Sequence, residues 1–482
     1  MAKTLEVDIC VIGAGAAGLA AASGAAQMGA RTILIEHDQM GGDSLNNGCV
    51  PSKSLIATSK IAQRFRHAST YGIQHSKLNI NPSDIQHHIA DVINAIAPHN
   101  SAERFEGLGV KVIRGEAIFL SPKTLQAGGH KIHARRFIIA TGSRPKIPPI
   151  PGLTEVSYLT NESVFFHKPF PKHLLIIGGG PIGVEMAQAH ARLGAKVTIL
   201  ELFSLLNKDD PETVNILRQQ LMKEGITIRE RIRIKEVKKE LGQITVVIED
   251  QDKEERISGS DLLVSAGRIP ETGTLNLHAA GVETTTKGIV VDEHLKTTNR
   301  KIYAIGDVTG DFQLTHMATY QAGIVLQNAL FMLPVKANYR AVPWVTYTDP
   351  EVAHVGITES EIKNKKLKLK YRTLRWTFDD VDRAQTDRSL LNDQPIGMIK
   401  VFVSPWGTVL GANIIGPQAG ELITPWTLAV KEKMNIRKMA GLIVPYPTLS
   451  EINKKVATSF YAQKLFNGRI KKIVQFIQKY IP

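Results

Sequence analysis

Apolar and polar positions along this chain fall into blocks, and two of the blocks repeat one another. The first opens with the apolar run 7–12, passes through Gly13, Gly15 and Gly18, and continues as an alanine-rich helix to about Met28. It resumes as the apolar strand 32–35 and ends in Glu36. The second opens with 174–177, passes through Gly178, Gly180 and Gly183 into a helix to about Leu193, and resumes as the strand 196–200 ending in Glu201. Short continuous apolar runs bounded by glycine predict strands buried on both faces of a parallel sheet. Proline- and glycine-rich stretches at 148–152 and 270–273 predict crossings between domains. From about Tyr339 the pattern changes to the alternating segments 343–347, 398–403 and 409–415 between helical stretches, which predicts a third domain of α+β type.

Composition narrows the class. A chain of 482 residues is too long for one ordinary core, and 43% hydrophobic residues with 39 glycines fit a folded α/β enzyme. Two cysteines supply no disulfide framework and fit a reducing compartment. The first strand begins near Leu5, which leaves no room for a signal peptide, and no apolar run reaches the length of a membrane span. The net charge of +14 is scattered, with local density at 362–372, at 229–239 and at the C-terminus. No recognition module for DNA or RNA accompanies it, so nucleic acid is not an expected partner. Lys366, Lys368 and Lys370 alternate with Leu367 and Leu369 and read as the wet face of a strand. His87, His88 and His190 have no ligand spacing and read as helix-surface residues, so no metal site is expected. Cys10, inside the first apolar strand, reads as a core residue.

A lone G-x-G-x-x-G is weak evidence, but here each follows an apolar strand, opens a helix, and precedes an acid at a strand end. That context defines the dinucleotide-binding fingerprint. The first glycine permits a tight turn and the second lets backbone approach a pyrophosphate, while the third packs helix on strand. The helix N-terminus offers N–H groups to the phosphates. Glu36 and Glu201 are placed to accept bonds from ribose hydroxyls. A carboxylate at 201 repels a 2′-phosphate, which favours NADH over NADPH.

Between these units lies the run Gly41-Gly42-Asp43-Ser44-Leu45-Asn46-Asn47-Gly48-Cys49-Val50-Pro51-Ser52-Lys53. It resembles the redox-active segment of the pyridine nucleotide–disulfide oxidoreductases, whose pattern is C-x4-C followed by V-P-S-K. The resemblance extends over residues 5–460. Thr141 and Gly142 lie in a run like the family's passage from FAD domain to NAD domain, and Gly267 and Arg268 in a run like its return. Gly306 and Asp307 match the second FAD motif, whose aspartate bonds the ribityl chain. His316 falls at a helix start like the one facing the flavin pyrimidine edge. The segments 349–353 and 411–423 resemble the dimerisation domain. The resemblance implies two doubly wound α/β nucleotide-binding domains plus an α+β dimerisation domain, with FAD and NADH as cofactors and a homodimer as the working form. The expected divisions are 1–150 and 272–338 for FAD, 151–271 for NAD, 339–465 for dimerisation, and 466–482 for a terminal helix.

The resemblance also shows departures. Ser44 stands where the family has the first redox cysteine, and a serine hydroxyl cannot form a disulfide. Cys49 remains at the position nearest the flavin. Lys53, one helical turn on, and Glu185 in the second domain's first helix are implied to form an ion pair at the nicotinamide face. In the run 445–451, Tyr446 stands where lipoamide and glutathione reductases carry histidine, as in mercuric reductases, while Glu451 remains. A phenol with a reference pKa of about 10 is a poor proton shuttle at neutral pH. The paired C-terminal cysteines of mercuric reductases are absent.

The expected function is FAD-dependent oxidation of NADH, with electrons passing to a small-molecule acceptor such as a quinone, dye, metal ion or oxygen. Three alternatives stand beside it: a Cys-to-Ser variant of a lipoamide dehydrogenase-like or mercuric reductase-like enzyme, an enzyme cycling through Cys49 alone, and a flavin-bearing sensor or scaffold. The last segment places Ile470, Ile473, Val474, Ile477 and Ile481 at helical spacing among lysines and glutamines. This basic amphipathic helix either packs on its own domain or docks on an anionic membrane surface. The expected location is the cytoplasm, with the inner face of a membrane as the alternative site of contact.

Overall fold

The computed structural model describes residues 3–74, 77–251, 253–363, 370–387, 397–465 and 468–480. The lysine–leucine alternation over 366–369 and Ile481 lie outside the described residues. The chain divides into two compact units. One comprises Met1–Ser59, Asn79–Leu202 and Ile228–Asn338, and the other Lys60–Leu78, Phe203–Thr227 and Tyr339–Pro482.

The first unit is α/β. Strands β1 (Lys3–Ile12), β2 (Thr32–Glu36), β3 (Val110–Arg114), β4 (Ala117–Ser121), β5 (Thr124–Ala127) and β6 (His130–Ile139) assemble in the order β3-β2-β1-β6-β5-β4. β1, β2, β3 and β6 run parallel, and Ile302–Ala304 adds in parallel along the end of β6. β1 is buried on both faces as its apolar run requires. Ile9 and Val11 pack into the cluster beside helix α1 (Ala16–Gln27), and Cys10 and Ile12 into the cluster on the opposite face. Burial pushes the Cys10 thiol up, so it stays protonated and inert.

A second sheet in the same unit has the order Thr227–Glu230, Lys196–Glu201, His173–Ile177, Asp261–Val264, with the last three parallel. Helix Pro181–Arg192 follows its glycine turn. The expectation for His190 is corrected here. It is 2% exposed, stacks on Phe170 at 5.4 Å between ring centroids, and shares a 2.8 Å hydrogen bond with the Met186 carbonyl. Its helix is buried nearly all round, so the spacing argument had no wet face to find, and burial pushes its pKa down to about 4. His87 and His88 are exposed.

The second unit is built on an antiparallel five-stranded sheet in the order Pro343–Thr346, Glu351–Gly356, Val409–Gly416, Met398–Val403, Arg372–Thr377. Helices Thr424–Lys431 and Glu451–Leu465 cover it, and the fully buried Trp426 donates its Nε1–H to Asn453 Oδ1 at 2.8 Å. Residues 203–227, inside the span expected for the NAD domain, belong to this unit. Trp344 Nε1 donates to Asp209 Oδ1 at 2.8 Å. Lys400, 1% exposed, sets its Nζ 2.8 Å from Asp210 Oδ2, 2.8 Å from Glu359 Oε2 and 3.1 Å from Glu212 Oε2. Burial opposes the Lys400 charge, but the hydrogen bonds to Asp210 and Glu359 outweigh it and hold its pKa above the ordinary lysine value. For Glu359 the burial penalty is likewise overcome by Lys363 and Lys400, and its pKa falls to about 2.

Removing the ammonium strands a buried carboxylate. Lys400→Met should therefore destabilise the protein by about 3–5 kcal/mol at pH 7, measured by denaturant unfolding. Glu359 has a depressed folded pKa, so its contribution is present above the unfolded carboxylate value and lost as pH falls toward about 2. The gap between wild type and variant should narrow over that window, and a gap independent of pH would count against the assignment.

Candidate active site

The two glycine turns are built alike. Gly13 and Gly178 take φ of +98° and +109°, the left-handed region that glycine tolerates. A Cβ on Gly13 would lie 2.5 Å from the Ala140 carbonyl oxygen, and one on Gly178 2.5 Å from that of Ser265. A Cβ on Gly18 would lie 1.8 Å from the Gly13 oxygen, and one on Gly183 2.0 Å from the Gly178 oxygen. Gly15 and Gly180 differ: both are extended, and a Cβ on either would meet nothing within 4 Å. Two glycines in each turn are thus explained by the chain's own packing. The middle one leaves open space at a helix N-terminus, which fits the approach of a pyrophosphate.

The acids at the strand ends do something the sequence reading missed. Glu36 Oε2 accepts from the Ala14 backbone N–H at 2.6 Å and its Oε1 from Asp38 N–H at 2.8 Å. Glu201 Oε2 accepts from the Gly179 N–H in the same way. Each acid braces the turn it faces. A carboxylate carries about four lone-pair sites, so capacity for ribose hydroxyls remains.

Next to the first turn lies a cavity of about 450 Å³. Gly13, Gly15, Glu36, Thr141 and Gly142 line one stretch of it, and Gly306 and Asp307 another. Ser44, Cys49, Lys53, Glu185 and Arg268 complete the expected set within it. Gly178, Gly180, Gly183, Glu201 and Gly267 do not line this cavity, nor does His316, which is exposed on helix Thr315–Leu330.

The redox-segment run forms a short helix α2 (Gly42–Asn46) and then helix α3 (Cys49–Arg66). A Cβ on Gly42 would lie 2.7 Å from Gly15 Cα, so this segment packs directly on the first glycine turn. Cys49 is the first residue of α3, where free N–H groups carry positive partial charge. Thr315 sits between the two candidate redox positions: its Oγ1 is 3.3 Å from Ser44 Oγ and 3.5 Å from Cys49 Sγ. Cys49 is exposed, so it is open to chemistry, unlike Cys10. Four residues along, Lys53 Nζ lies 2.9 Å from Glu185 Oε2, with the Glu185 side chain 5% exposed.

Arg268 organises the far wall. Its Nε donates to Ser143 Oγ at 2.7 Å and its Nη2 to the Ser143 carbonyl at 2.7 Å, with Asp43 Oδ2 3.4 Å from Nη2. Ser143 Oγ in turn donates to Asp307 Oδ2 at 2.6 Å, and Asn161 Nδ2 donates to Asp43 Oδ1 at 3.0 Å. Burial raises the Asp307 pKa, and the Ser143 bond and Arg268 charge offset that only in part. Glu162, also on the cavity wall, is pushed up by burial and by Asp43. Asp43, Ser143 and Thr315 lie inside recognised runs without being singled out, whereas Asn161 and Glu162 carry no sequence signal of their own.

Tyr446 and Glu451 lie in the second unit. Tyr446 is 71% exposed and donates its hydroxyl to Asp382 Oδ2 at 2.7 Å. That bond and the carboxylate's charge hold the phenol above its ordinary pKa. Glu451 opens helix Glu451–Leu465, with its Oε2 buried and lacking a hydrogen-bond partner among the described residues. Among the described residues no group of three or more His, Cys, Asp or Glu side chains converges as a metal site.

The pyridine nucleotide-disulphide oxidoreductase model matches residues 7–322, and the dimerisation-domain model of the same group matches 342–457. The chain belongs to this family of enzymes, which use FAD and NAD(P)H. It is 34% identical to a mercuric reductase of Staphylococcus aureus, over 94% of this chain and 82% of the relative. It is 32% identical to a dihydrolipoyl dehydrogenase of Geobacillus stearothermophilus, over 94% and 96%. In fold it is similar to a copper(II) complex of the HOCl-induced flavoprotein disulfide reductase RclA from Escherichia coli. That match has a TM-score of 0.83 at 26% identity and covers 94% of this chain and 99% of the other.

Gly13→Ala should destabilise even the flavin-free protein by about 1–3 kcal/mol, because it forces a strained φ and a backbone clash. Gly15→Ala should leave flavin-free stability within about 0.5 kcal/mol of wild type, yet weaken FAD retention measured by flavin release. Full FAD affinity in Gly15→Ala would remove the pyrophosphate from this turn.

Proposed function

We propose that the protein oxidises NADH through bound FAD and delivers the electrons to an acceptor other than a disulfide: a quinone, a dye, a metal ion or oxygen. One observation carries the reading. Ser44 occupies the first redox position, 3.3 Å from the Thr315 hydroxyl that also reaches Cys49, and the chain has no third cysteine to replace it. FAD would take a hydride from the nicotinamide and pass on two electrons, so that NADH, a proton and a quinone become NAD⁺ and a quinol. Disulfide substrates need an attacking thiolate and a base that collects its proton. Here the dithiol is missing, and Tyr446 is held by Asp382 above an already high phenol pKa.

The chain's own residues would bind and orient. Gly15 and the N-terminus of α1 admit the FAD pyrophosphate, and Glu36 keeps the turn in shape. Asp307 offers a carboxylate at the cavity wall. Glu185 fixes the Lys53 ammonium where nicotinamide and flavin meet. Glu201 favours NADH because its charge opposes a 2′-phosphate. The dimerisation domain supports a homodimer, and dependence on NADH fits the cytoplasm. A second reading is favoured by the exposure of Cys49: cycling of this single cysteine through a sulfenic acid or mixed disulfide.

Steady-state assays of the FAD-loaded homodimer decide between these. NADH-dependent reduction of a soluble quinone or dye should be robust, with lipoamide and oxidised glutathione turned over at less than about a hundredth of that rate. Ser44→Cys should add a dithiol couple in reductive titration, while disulfide turnover stays limited at neutral pH. Ready disulfide turnover by the Ser44 protein would overturn the main reading and support Cys49 acting alone.

Nucleotide choice is tested separately. Wild type should prefer NADH in kcat/KM, and Glu201→Gln should shrink the preference by about tenfold, since it keeps an acceptor for Gly179 N–H while removing the charge. A wild-type preference for NADPH would show the role given to Glu201 to be mistaken.

A further inference from the structure

The C-terminal helix Gly468–Tyr480 ends the described chain and, from Ile470 onward, separates apolar from polar positions. At 100° per residue, Ile470, Ile473, Val474, Phe476, Ile477 and Tyr480 fill one arc of the helix. Lys471, Lys472, Gln475, Gln478 and Lys479 fill the other. If the helix packed on its own domain, the apolar arc would be buried. Instead Ile473 is 52% exposed, Phe476 61%, Ile477 40% and Tyr480 61%. Phe476 and Tyr480 pack their rings on each other, with centroids 4.9 Å apart.

Charge identifies what covers this face. After Glu451 the chain carries seven lysines and arginines and no acidic residue. Four of them lie on this helix, so a second copy of it would bring like charges together, and self-pairing is opposed. The dimerisation-domain match also ends at residue 457, before the helix begins. An anionic bilayer supplies both missing parts, an apolar layer for the isoleucines and aromatics and negative headgroups for the lysines on the flanks. A tyrosine at the edge of the apolar arc suits the boundary between them. No helix among the described residues is long and apolar enough to cross a membrane, so the contact is peripheral.

We propose that the helix Gly468–Tyr480 docks the protein on the surface of anionic lipid bilayers, its apolar arc in the headgroup boundary and its lysines on the headgroups. The inference does not depend on which acceptor the enzyme reduces. The experiment is co-sedimentation of the full-length, FAD-loaded protein with vesicles of phosphatidylcholine alone or with 30% phosphatidylglycerol, as a chosen composition, at low and high salt. Binding should appear with the anionic vesicles and fall with salt. The triple variant Lys471→Gln, Lys472→Gln, Lys479→Gln should bind about a hundredfold more weakly. Ile473→Ser with Phe476→Ser should abolish binding while NADH–dye turnover and the oligomeric state stay unchanged. Absence of binding to anionic vesicles overturns the proposal, as does equal binding to neutral ones. A change of oligomeric state in the serine variant overturns it as well, by making the face a subunit interface.

Discussion

The first unit depends on one guanidinium. Arg268 is 13% exposed at the side chain, and its fixed fork of donors meets Ser143 twice and lies near Asp43 and Asp307. Through Asn161 and Ser143 the network joins the run of Asp43, the paired strands Ser143–Pro145 and Arg268–Pro270, and the run of Asp307. Five pieces of chain far apart in sequence are thereby held around one cavity. A lysine could not do this, because a point charge lacks the planar set of donors. The arrangement also sets two acidic side chains against one cation. Asp307 then remains raised by burial while Asp43 and Arg268 lie 3.4 Å apart.

Within that frame the candidate redox groups lie close together. Cys49 stands at the start of a helix with the Thr315 hydroxyl between it and Ser44, and the buried carboxylate of Glu185 fixes a lysine one turn further on. Nucleotide handling depends on the backbone geometry of the glycine turns. Dithiol exchange depends on a second thiol beside the first, and position 44 carries a hydroxyl. The two capacities rest on different groups of the chain.

In the second unit a buried ion pair ties a helix to a strand of the sheet. Asp210 caps helix Pro211–Lys223 by accepting from the Glu212 N–H at 3.0 Å, and its other oxygen meets Lys400. Apart from Lys400 that carboxylate would be an uncompensated buried charge. By sequence position the same helix reads as part of the preceding nucleotide-binding domain.

The sequence alone determined the two dinucleotide turns, the family, the α/β class and the α+β dimerisation domain. These rest on local steric rules and short-period patterns: glycine where φ is positive, apolar runs where a strand is buried twice, and strict spacing within a motif. It also marked Ser44, Cys49, Lys53 and Glu185 by their place in those motifs. Tertiary structure decided what depends on convergence across long stretches of chain. It placed Thr315 between Ser44 and Cys49, brought Asn161 and Glu162 to the cavity, and set Glu36 and Glu201 as braces of their own turns. It buried His190, which helical spacing alone could not distinguish from a surface residue, because a helix packed nearly all round has no polar face to reveal it. It also left the apolar arc of the last helix exposed, since amphipathic periodicity shows that a face needs covering and not whether the fold covers it.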